Sequence, residues 1–183
     1  MGPLAPFWAV DLLVMEKTLK VINDLEQEGV IERYAIGGAT ALLFYAEPSL
    51  TFDVDVFVFL RGQKDPNRLI NLSPLYEALA EKGYAAEKEH VIIEGIPVQF
   101  IPVYNALVEE AVSNASEKKY EGTKTKVLGI EYLLAIMIDT NRPRDRERIK
   151  KLVDEVECNK KLLEKILDKH SLRKRWKEKV ENE

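Results

Sequence analysis

The stretch at residues 52–60, FDVDVFVFL, constrains the fold of this chain more than any other segment. Valine and phenylalanine dominate it, and both residue types favour β-strands. Successive side chains of a strand point to opposite faces, so every second residue lies on the same face. One face of this strand is entirely apolar, whereas the other carries Asp53 and Asp55 near its beginning. The segment therefore predicts a strand that packs on helices through one face and presents two carboxylates from the other.

The segments around this strand alternate between helical and strand patterns. In chain order they predict a helix within 8–28, a strand at Ile31–Ile36, a short helix at 39–46, a helix at 69–82, and a hairpin of His90–Ile93 with 96–101. Pro97 and Pro102 favour an edge position for the last strand, because proline has no N–H to donate to a neighbour. This order predicts an α/β fold of the α+β kind, with a small mixed sheet flanked by helices.

The last third of the chain has a different character. A brief strand pattern at Thr123–Val127 precedes a helix at 130–138, and charged residues with apolar positions at helical spacing predict helix through 143–180. The chain therefore divides into an α/β domain over residues 1–128 and a helical C-terminal extension over 129–183 that packs on it.

Composition narrows the class of protein. With 183 residues, of which 46% are hydrophobic and 32% charged, the chain is long enough to bury one core. Its apolar runs are far shorter than the roughly 20 residues of a membrane-spanning helix, and the N-terminus lacks a secretory pattern. We therefore expect a cytoplasmic protein with no membrane partner. The net charge of −4 argues against a protein that coats nucleic acid.

The residues that usually bind transition metals are scarce. The single cysteine, Cys158, excludes an internal disulfide and a thiolate cluster. His90 and His170 are the only two histidines, and neither has a partner at helical spacing. The sequence therefore assigns all three residues plain structural or surface roles.

The aspartate pair indicates a cation. On one strand, the Cα atoms of Asp53 and Asp55 would lie about 7 Å apart. Two carboxylates held together repel each other unless a cation compensates their charge. Oxygen ligands favour Mg²⁺ or Mn²⁺, and Mg²⁺ usually bridges a few carboxylates to substrate phosphates. The alternative is that both side chains lie on an exposed sheet face or cap a turn.

A diglycine precedes the pair at a predicted change from strand to helix. Glycines let the backbone of Gly37 and Gly38 approach a ligand closely, and the start of the next helix attracts an anion. Thr40 would add a hydroxyl in the first helical turn. The plainer alternative is a tight turn that requires positive φ.

The order and spacing of these motifs resemble the signature of the DNA polymerase β-like nucleotidyltransferase superfamily. The matching residues are Ile36-Gly37-Gly38 and Thr51-Phe52-Asp53-Val54-Asp55-Val56. Within that superfamily the chain looks most similar to the AbiEii toxin nucleotidyltransferases and related minimal proteins.

The resemblance implies a set of roles. Gly37 and Gly38 would hold the triphosphate of an NTP, with Thr40 beside them, and Asp53 and Asp55 would bind catalytic Mg²⁺ or Mn²⁺. The nucleotidyl group would pass to an unknown acceptor, which would be a protein, an RNA or a small molecule. A cognate antitoxin or another partner protein is a further expectation.

One position departs from the superfamily pattern. A later strand usually supplies a third carboxylate, and Gln99 stands there in this chain. An amide oxygen can ligate a metal, but it brings no charge and cannot act as a general base. A catalytically inactive module that binds a nucleotide or a partner therefore remains open. A purely structural domain in which both motifs are coincidental is the third alternative.

Two basic segments in the last third of the chain each have two interpretations. Residues 133–149 resemble the superfamily's helix that ends in a basic-aspartate motif, with Arg142, Arg144 and Asp145 matching and Met137 in place of a common lysine. These two arginines and Arg148 would contact phosphates, or they would pair with Asp145 and Glu147 between them on a solvated helix. Farther on, SLRKRWKEK would stack Trp176 on single-stranded RNA, or it would pack that ring on the protein body.

Overall fold

The computed structural model describes residues 12–46, 53–62, 70–143 and 145–181. Within these ranges the chain forms one mixed sheet of seven strands, with helices packed on it. No helix in the described ranges is long and apolar enough to cross a membrane. The sequence predictions at Trp8, Thr51, Phe52 and Arg144 lie outside the described residues.

The five predicted strands are present in the predicted order, and two further strands, at Ala86–Glu87 and Ser116–Tyr120, join them. The seven strands of this sheet are β1 (Ile31–Ile36), β2 (Val54–Leu60), β3 (Ala86–Glu87), β4 (His90–Ile93), β5 (Ile96–Pro102), β6 (Ser116–Tyr120) and β7 (Thr123–Val127). Across the sheet the order is β3-β4-β5-β2-β1-β7-β6, which places β2 at its centre. Strand β2 runs antiparallel to β1 and parallel to β5. The predicted mixed sheet is therefore confirmed.

The helices surround this sheet and fill the last third of the chain. They are α1 (Leu12–Gln27), α2 (Gly38–Leu42), α3 (Ser73–Glu81), α4 (Ala106–Ser113), α5 (Ile130–Thr140), α6 (Asp145–Glu155), α7 (Lys160–Lys169) and α8 (Arg173–Trp176), with a π-helical segment at Lys177–Glu181. Consecutive residues of β1 show that both sheet faces are covered. The hydroxyl of Tyr34 contacts Asn23 of α1, whereas Arg33 reaches Ser113 of α4.

Tyr34 links the sheet to α1 through a buried hydroxyl. It is fully buried, donates a 2.6 Å hydrogen bond to Asn23 Oδ1, and lies 3.1 Å from Thr125 Oγ1. Burial raises the pKa of Tyr34 from 10 to about 12. Because the unfolded tyrosine ionises first, the stability from this group is complete below pH 10 and is lost as the pH rises toward 12.

We expect Tyr34→Phe to lower the free energy of unfolding by about 1–3 kcal/mol at neutral pH, because Asn23 and Thr125 lose a buried partner. Between pH 10 and about 12, ionisation of Tyr34 should cost the wild type about 1.4 kcal/mol of stability per pH unit. The variant should not show this loss. Urea unfolding of both proteins at about pH 7, 10 and 11 measures the two effects. Parallel loss of stability above pH 10 in both proteins would contradict this role for Tyr34.

The edge position predicted for β5 is wrong, since β5 lies between β4 and β2. Pro97 is the second residue of the strand and Pro102 is the last, so the missing N–H groups fall near its ends. The next residue, Val103, resumes pairing by donating its N–H to Val58 O at 3.0 Å. An interior strand therefore accommodates both prolines.

The helical predictions need three corrections. The helix predicted at 69–82 begins only at Ser73, as α3. Regular helix in α2 ends at Leu42, shorter than the predicted 39–46, and hydrogen-bonded turns continue to Ala46. The helical stretch predicted at 143–180 is divided into α6, α7, α8 and the π-helical segment. Asn159 caps the start of α7 with its side chain, and Ser171 adopts a left-handed φ of +57° between α7 and α8.

A polar cluster attaches α7 to the rest of the protein. Glu110 of α4 accepts hydrogen bonds from His170 at 2.9 Å, Lys169 at 2.8 Å and Tyr132 at 3.1 Å. Burial acts to raise the pKa of Glu110, but these hydrogen bonds outweigh it and hold the pKa below its ordinary value. His170 therefore contributes to packing between helices, the structural role that the sequence predicted.

Candidate functional site

The glycine turn and the aspartate pair lie against each other. The Gly37 N–H donates a 2.9 Å hydrogen bond to the backbone oxygen of Asp55. Gly38 follows with a φ of +56°, and a Cβ at this position would lie 1.9 Å from Asp55 Oδ2. A Cβ at Gly37 would lie 2.3 Å from the Phe57 ring. Glycine is therefore required at both positions by close contact, in addition to the positive φ of Gly38.

Asp53 immediately precedes β2, and both its backbone and its side chain contact other parts of the fold. The hydroxyl of Thr40, which is 2% exposed, donates to the Asp53 backbone oxygen at 2.8 Å. The Asp53 side chain contacts His90, with 3.3 Å between Oδ2 and Nε2. Thr40 thus positions the backbone of Asp53 through this hydrogen bond. The contact of Thr40 with a nucleotide stays a prediction.

A row of polar residues extends across the sheet from the glycine turn. Asp55 of β2 pairs directly with Gln99 of β5, so their side chains share one face. The register of the β4–β5 hairpin places His90 next to Gln99, and Glu87 of β3 pairs with His90. The row thus consists of Asp55, Gln99, His90 and Glu87. Gln99 therefore lies beside Asp55, where the superfamily resemblance predicted a third carboxylate.

A cavity of about 60 Å³ lies between this face of the sheet and the C-terminal helices. Its lining includes Gly38, Asp55, Tyr104, Arg142, Asp145 and Arg148. Tyr104 is 47% exposed, and its partial burial, with Asp139 nearby, raises its pKa above the ordinary value. One water molecule needs roughly 10–15 Å³ of such a cavity, so this one holds a few, and a nucleotide would extend beyond it or displace part of its lining.

The basic-aspartate motif predicted from the sequence contributes to this cavity. Asp145 is 6% exposed, and Arg148 Nη1 lies 3.4 Å from its Oδ1. This contact matches the second interpretation of the basic segment, in which its arginines pair with acidic residues of the same helix. Asp145 and Arg148 nevertheless line the same cavity as Asp55, so the ion pair within α6 lies at the candidate site.

The basic C-terminal tail packs on the protein body. Trp176 is 9% exposed, and Arg175 contacts both the backbone and the side chain of Asp139. Arg173 makes two hydrogen bonds to Asp168. The buried ring favours the packing interpretation over stacking on RNA.

The side chains around the aspartate pair can bind a metal ion that is also coordinated by a bound ligand. Among the described residues, no group of three or more His, Cys, Asp or Glu side chains gathers at one point to hold a metal. Asp53 and Asp55 supply carboxylate oxygens, and Gln99 next to Asp55 carries an amide oxygen. Mg²⁺ typically takes one or two carboxylates and completes its shell with water and phosphate. The residues present therefore fit an ion that binds together with phosphates.

His90 is the residue of this site that sequence analysis missed, because a histidine without a partner at helical spacing suggested no chemistry. A usable signal was present in the hairpin. The turn at Glu94 and Gly95 pairs Ile93 with Ile96, and counting back along both strands brings His90 opposite Gln99.

Comparison with known proteins identifies the fold. No protein-family model matches the sequence, and no curated relative matches it. An antigenic nucleotidyltransferase-like protein from Paracoccidioides brasiliensis is similar in structure, with a TM-score of 0.58, 16% identity, and coverage of 92% of this chain and 91% of that chain. ANT(2'')-Ia, in complex with adenylyl-2''-tobramycin, gives a TM-score of 0.51 and 12% identity over 90% of this chain and 98% of its own.

These likenesses establish a nucleotidyltransferase-like fold and confirm the predicted fold class. At such low identities they show the fold alone. The narrower resemblance to the AbiEii group stays a prediction.

Proposed function

We propose that this protein binds an NTP together with a divalent cation and transfers a nucleotidyl group to an acceptor. The observation that carries the proposal is the contact between Gly38 and the Asp55 carboxylate, which unites the two sequence motifs in one site. A structural turn needs positive φ at a glycine, but it does not need a carboxylate within van der Waals distance of it.

The proposed roles follow from position. The backbone at Gly37 and Gly38 would receive the triphosphate, because the absence of side chains allows close approach. Asp53 and Asp55 would hold Mg²⁺ or Mn²⁺, which would neutralise phosphate charge and polarise the reacting phosphate. Arg142, which lines the cavity beside Asp55, would add positive charge near the phosphates.

In the proposed reaction, an oxygen of the acceptor attacks the α-phosphorus and forms a new P–O bond. The bond between the α- and β-phosphates breaks, and pyrophosphate leaves with its electrons. The acceptor proton passes to a carboxylate or to water, since the amide of Gln99 cannot take it.

A second candidate function is a binding module that does not catalyse transfer. It is favoured by Gln99, which lies directly beside Asp55 without a charge, and by the small cavity. In this alternative the chain binds a nucleotide or a partner protein through the same site.

The biological setting rests on the resemblance alone. We propose a cytoplasmic protein that belongs to a toxin-antitoxin pair, with a cognate antitoxin as its partner. The acceptor would be a protein, an RNA or a small molecule, and assays must therefore sample all three.

Calorimetric titration with ATP tests the proposal. We expect binding that requires Mg²⁺ and weakens at least about tenfold in Asp53→Asn, since even residues that only orient metal ligands contribute 10–100-fold. Asp154→Asn is the matched control, because this exposed carboxylate of α6 lies outside the site cavity. Failure of ATP to bind with Mg²⁺, or equal binding without it, would contradict the proposed function.

A further inference from the structure

We propose that His90 is a direct ligand of the cation held by Asp53, and that the site consequently prefers a divalent transition ion such as Mn²⁺ to Mg²⁺. This inference deepens the proposed function and rests on it for the presence of a cation. It goes beyond the superfamily resemblance, which assigned the cation to carboxylates alone.

The spacing of the two side chains supports shared coordination. His90 Nε2 and Asp53 Oδ2 are 3.3 Å apart. Metal–nitrogen and metal–oxygen bonds of about 2.1 Å at an angle near 100° would place two ligand atoms at about this separation. A cation could therefore bind between them with little movement of either side chain. Both are partly exposed, with 23% and 37% of their side-chain surface accessible, so the ion can enter from solvent.

The second nitrogen of the ring has a suitable neighbour. His90 Nδ1 lies 3.9 Å from Glu89 Oε1, which is in the range of an ion pair and longer than a hydrogen bond. Histidines that bind metals usually direct the other ring nitrogen at a carboxylate or carbonyl oxygen, which fixes the ring and leaves one nitrogen for the metal. Glu89 lies on that side of the His90 ring, and a shift of about 1 Å would bring it into hydrogen-bonding range.

The strand register places further oxygen donors beside this pair. Gln99 neighbours His90 across the β4–β5 hairpin, and Asp55 neighbours Gln99 on β2. The remaining positions of the shell would be filled by water or phosphate. A nitrogen donor changes the selectivity, because Mg²⁺ binds oxygen and gives up its water reluctantly, whereas divalent transition ions, of which Mn²⁺ binds most weakly, also accept imidazole.

Electron paramagnetic resonance of Mn²⁺ tests this assignment independently of catalysis. The full chain without a polyhistidine tag is titrated with Mn²⁺ alone at about pH 8, and Mg²⁺ is then added as a competitor. We expect pulsed spectra of bound Mn²⁺ to show a nitrogen coupling. His90→Ala should remove that coupling and weaken Mn²⁺ binding roughly tenfold or more, while Mg²⁺ affinity changes much less.

The chain offers a matched control, because it contains only two histidines. In His170→Gln the nitrogen coupling should persist, since His170 contacts Glu110 on another part of the fold. Circular dichroism confirms that each variant is folded. Wild-type Mn²⁺ without nitrogen coupling, or equal losses of Mn²⁺ and Mg²⁺ affinity in His90→Ala, would overturn the assignment.

The outcome is separable from that of the proposed function. Metal-dependent ATP binding without nitrogen coupling would retain the function and reject His90 as a ligand. Nitrogen-coupled Mn²⁺ in a protein that binds no nucleotide would retain the ligand and reject the function.

Discussion

Gly38→Ala is expected to weaken metal-dependent ATP binding by about 100-fold while leaving the protein folded. The new Cβ would lie 1.9 Å from Asp55 Oδ2 and 2.8 Å from its Cγ, so the carboxylate must leave its position. Changing a residue that only orients a metal ligand typically costs 10–100-fold in metal affinity, so displacing the ligand itself is expected at the upper end of that range. The positive φ of Gly38 adds a smaller conformational cost of roughly 1–2 kcal/mol.

Gly122→Ala separates these two effects. Gly122 has a φ of +89°, so alanine is also strained there, but no described atom lies within 4 Å of the corresponding Cβ. Both variants should lose stability in urea, whereas only Gly38→Ala should lose ATP binding in calorimetry. Equal ATP binding by the two variants would show that the position of the Asp55 carboxylate is not needed for the nucleotide.

The strands were predictable where their side chains alternate or are β-branched. Structure and prediction agree on the bounds of Ile31–Ile36, His90–Ile93 and Thr123–Val127. Strands β3 and β6, at the two edges of the sheet, were missed. Strand β3 has only two residues, and the sequence of β6, SEKKY, is largely charged and exposed. Charge on an edge strand discourages pairing with other chains, and it also removes the apolar alternation by which a strand is recognised.

The centre of the site was also predictable, because it depends on short-range geometry and on motif spacing. The glycine turn precedes the acidic strand by one short helix, and the structure brings Gly38 and Asp55 together as predicted. Gln99 follows from register, since β5 pairs in parallel with β2. The roles of these residues in binding and transfer remain predictions.

The rest of the site depends on contacts that local patterns do not specify. Asp145 lines the cavity from the start of α6, after Asn141 ends α5 with a left-handed φ of +54°. A sequence motif identified Asp145 as notable, but not its burial beside Asp55. His90 contacts Asp53 across three neighbouring strands, and no periodicity within one element indicates such a contact.

Gln99→Asp is expected to increase nucleotidyl transfer by about 10²–10⁴-fold, the range that a positioned general base contributes. Gln99 is the direct neighbour of Asp55 on the adjacent parallel strand, so an aspartate there would face the same cation. A third carboxylate also adds repulsion to Asp55 when no cation is bound. The variant should therefore be less stable than the wild type without metal and should gain more thermal stability when Mg²⁺ is added.

The measurement is transfer of label from each NTP to the proteins, RNA and small molecules of a cell extract. Gln99→Asn is the matched control, because it has the length of aspartate without the charge, and it should not increase transfer. Adding Asp55→Asn to Gln99→Asp should abolish the gain. If the wild type is silent and Gln99→Asp transfers label, the native protein is a binding module in which a single amide suppresses catalysis. If the wild type already transfers label and Gln99→Asp leaves the rate unchanged, the acceptor proton leaves by another group.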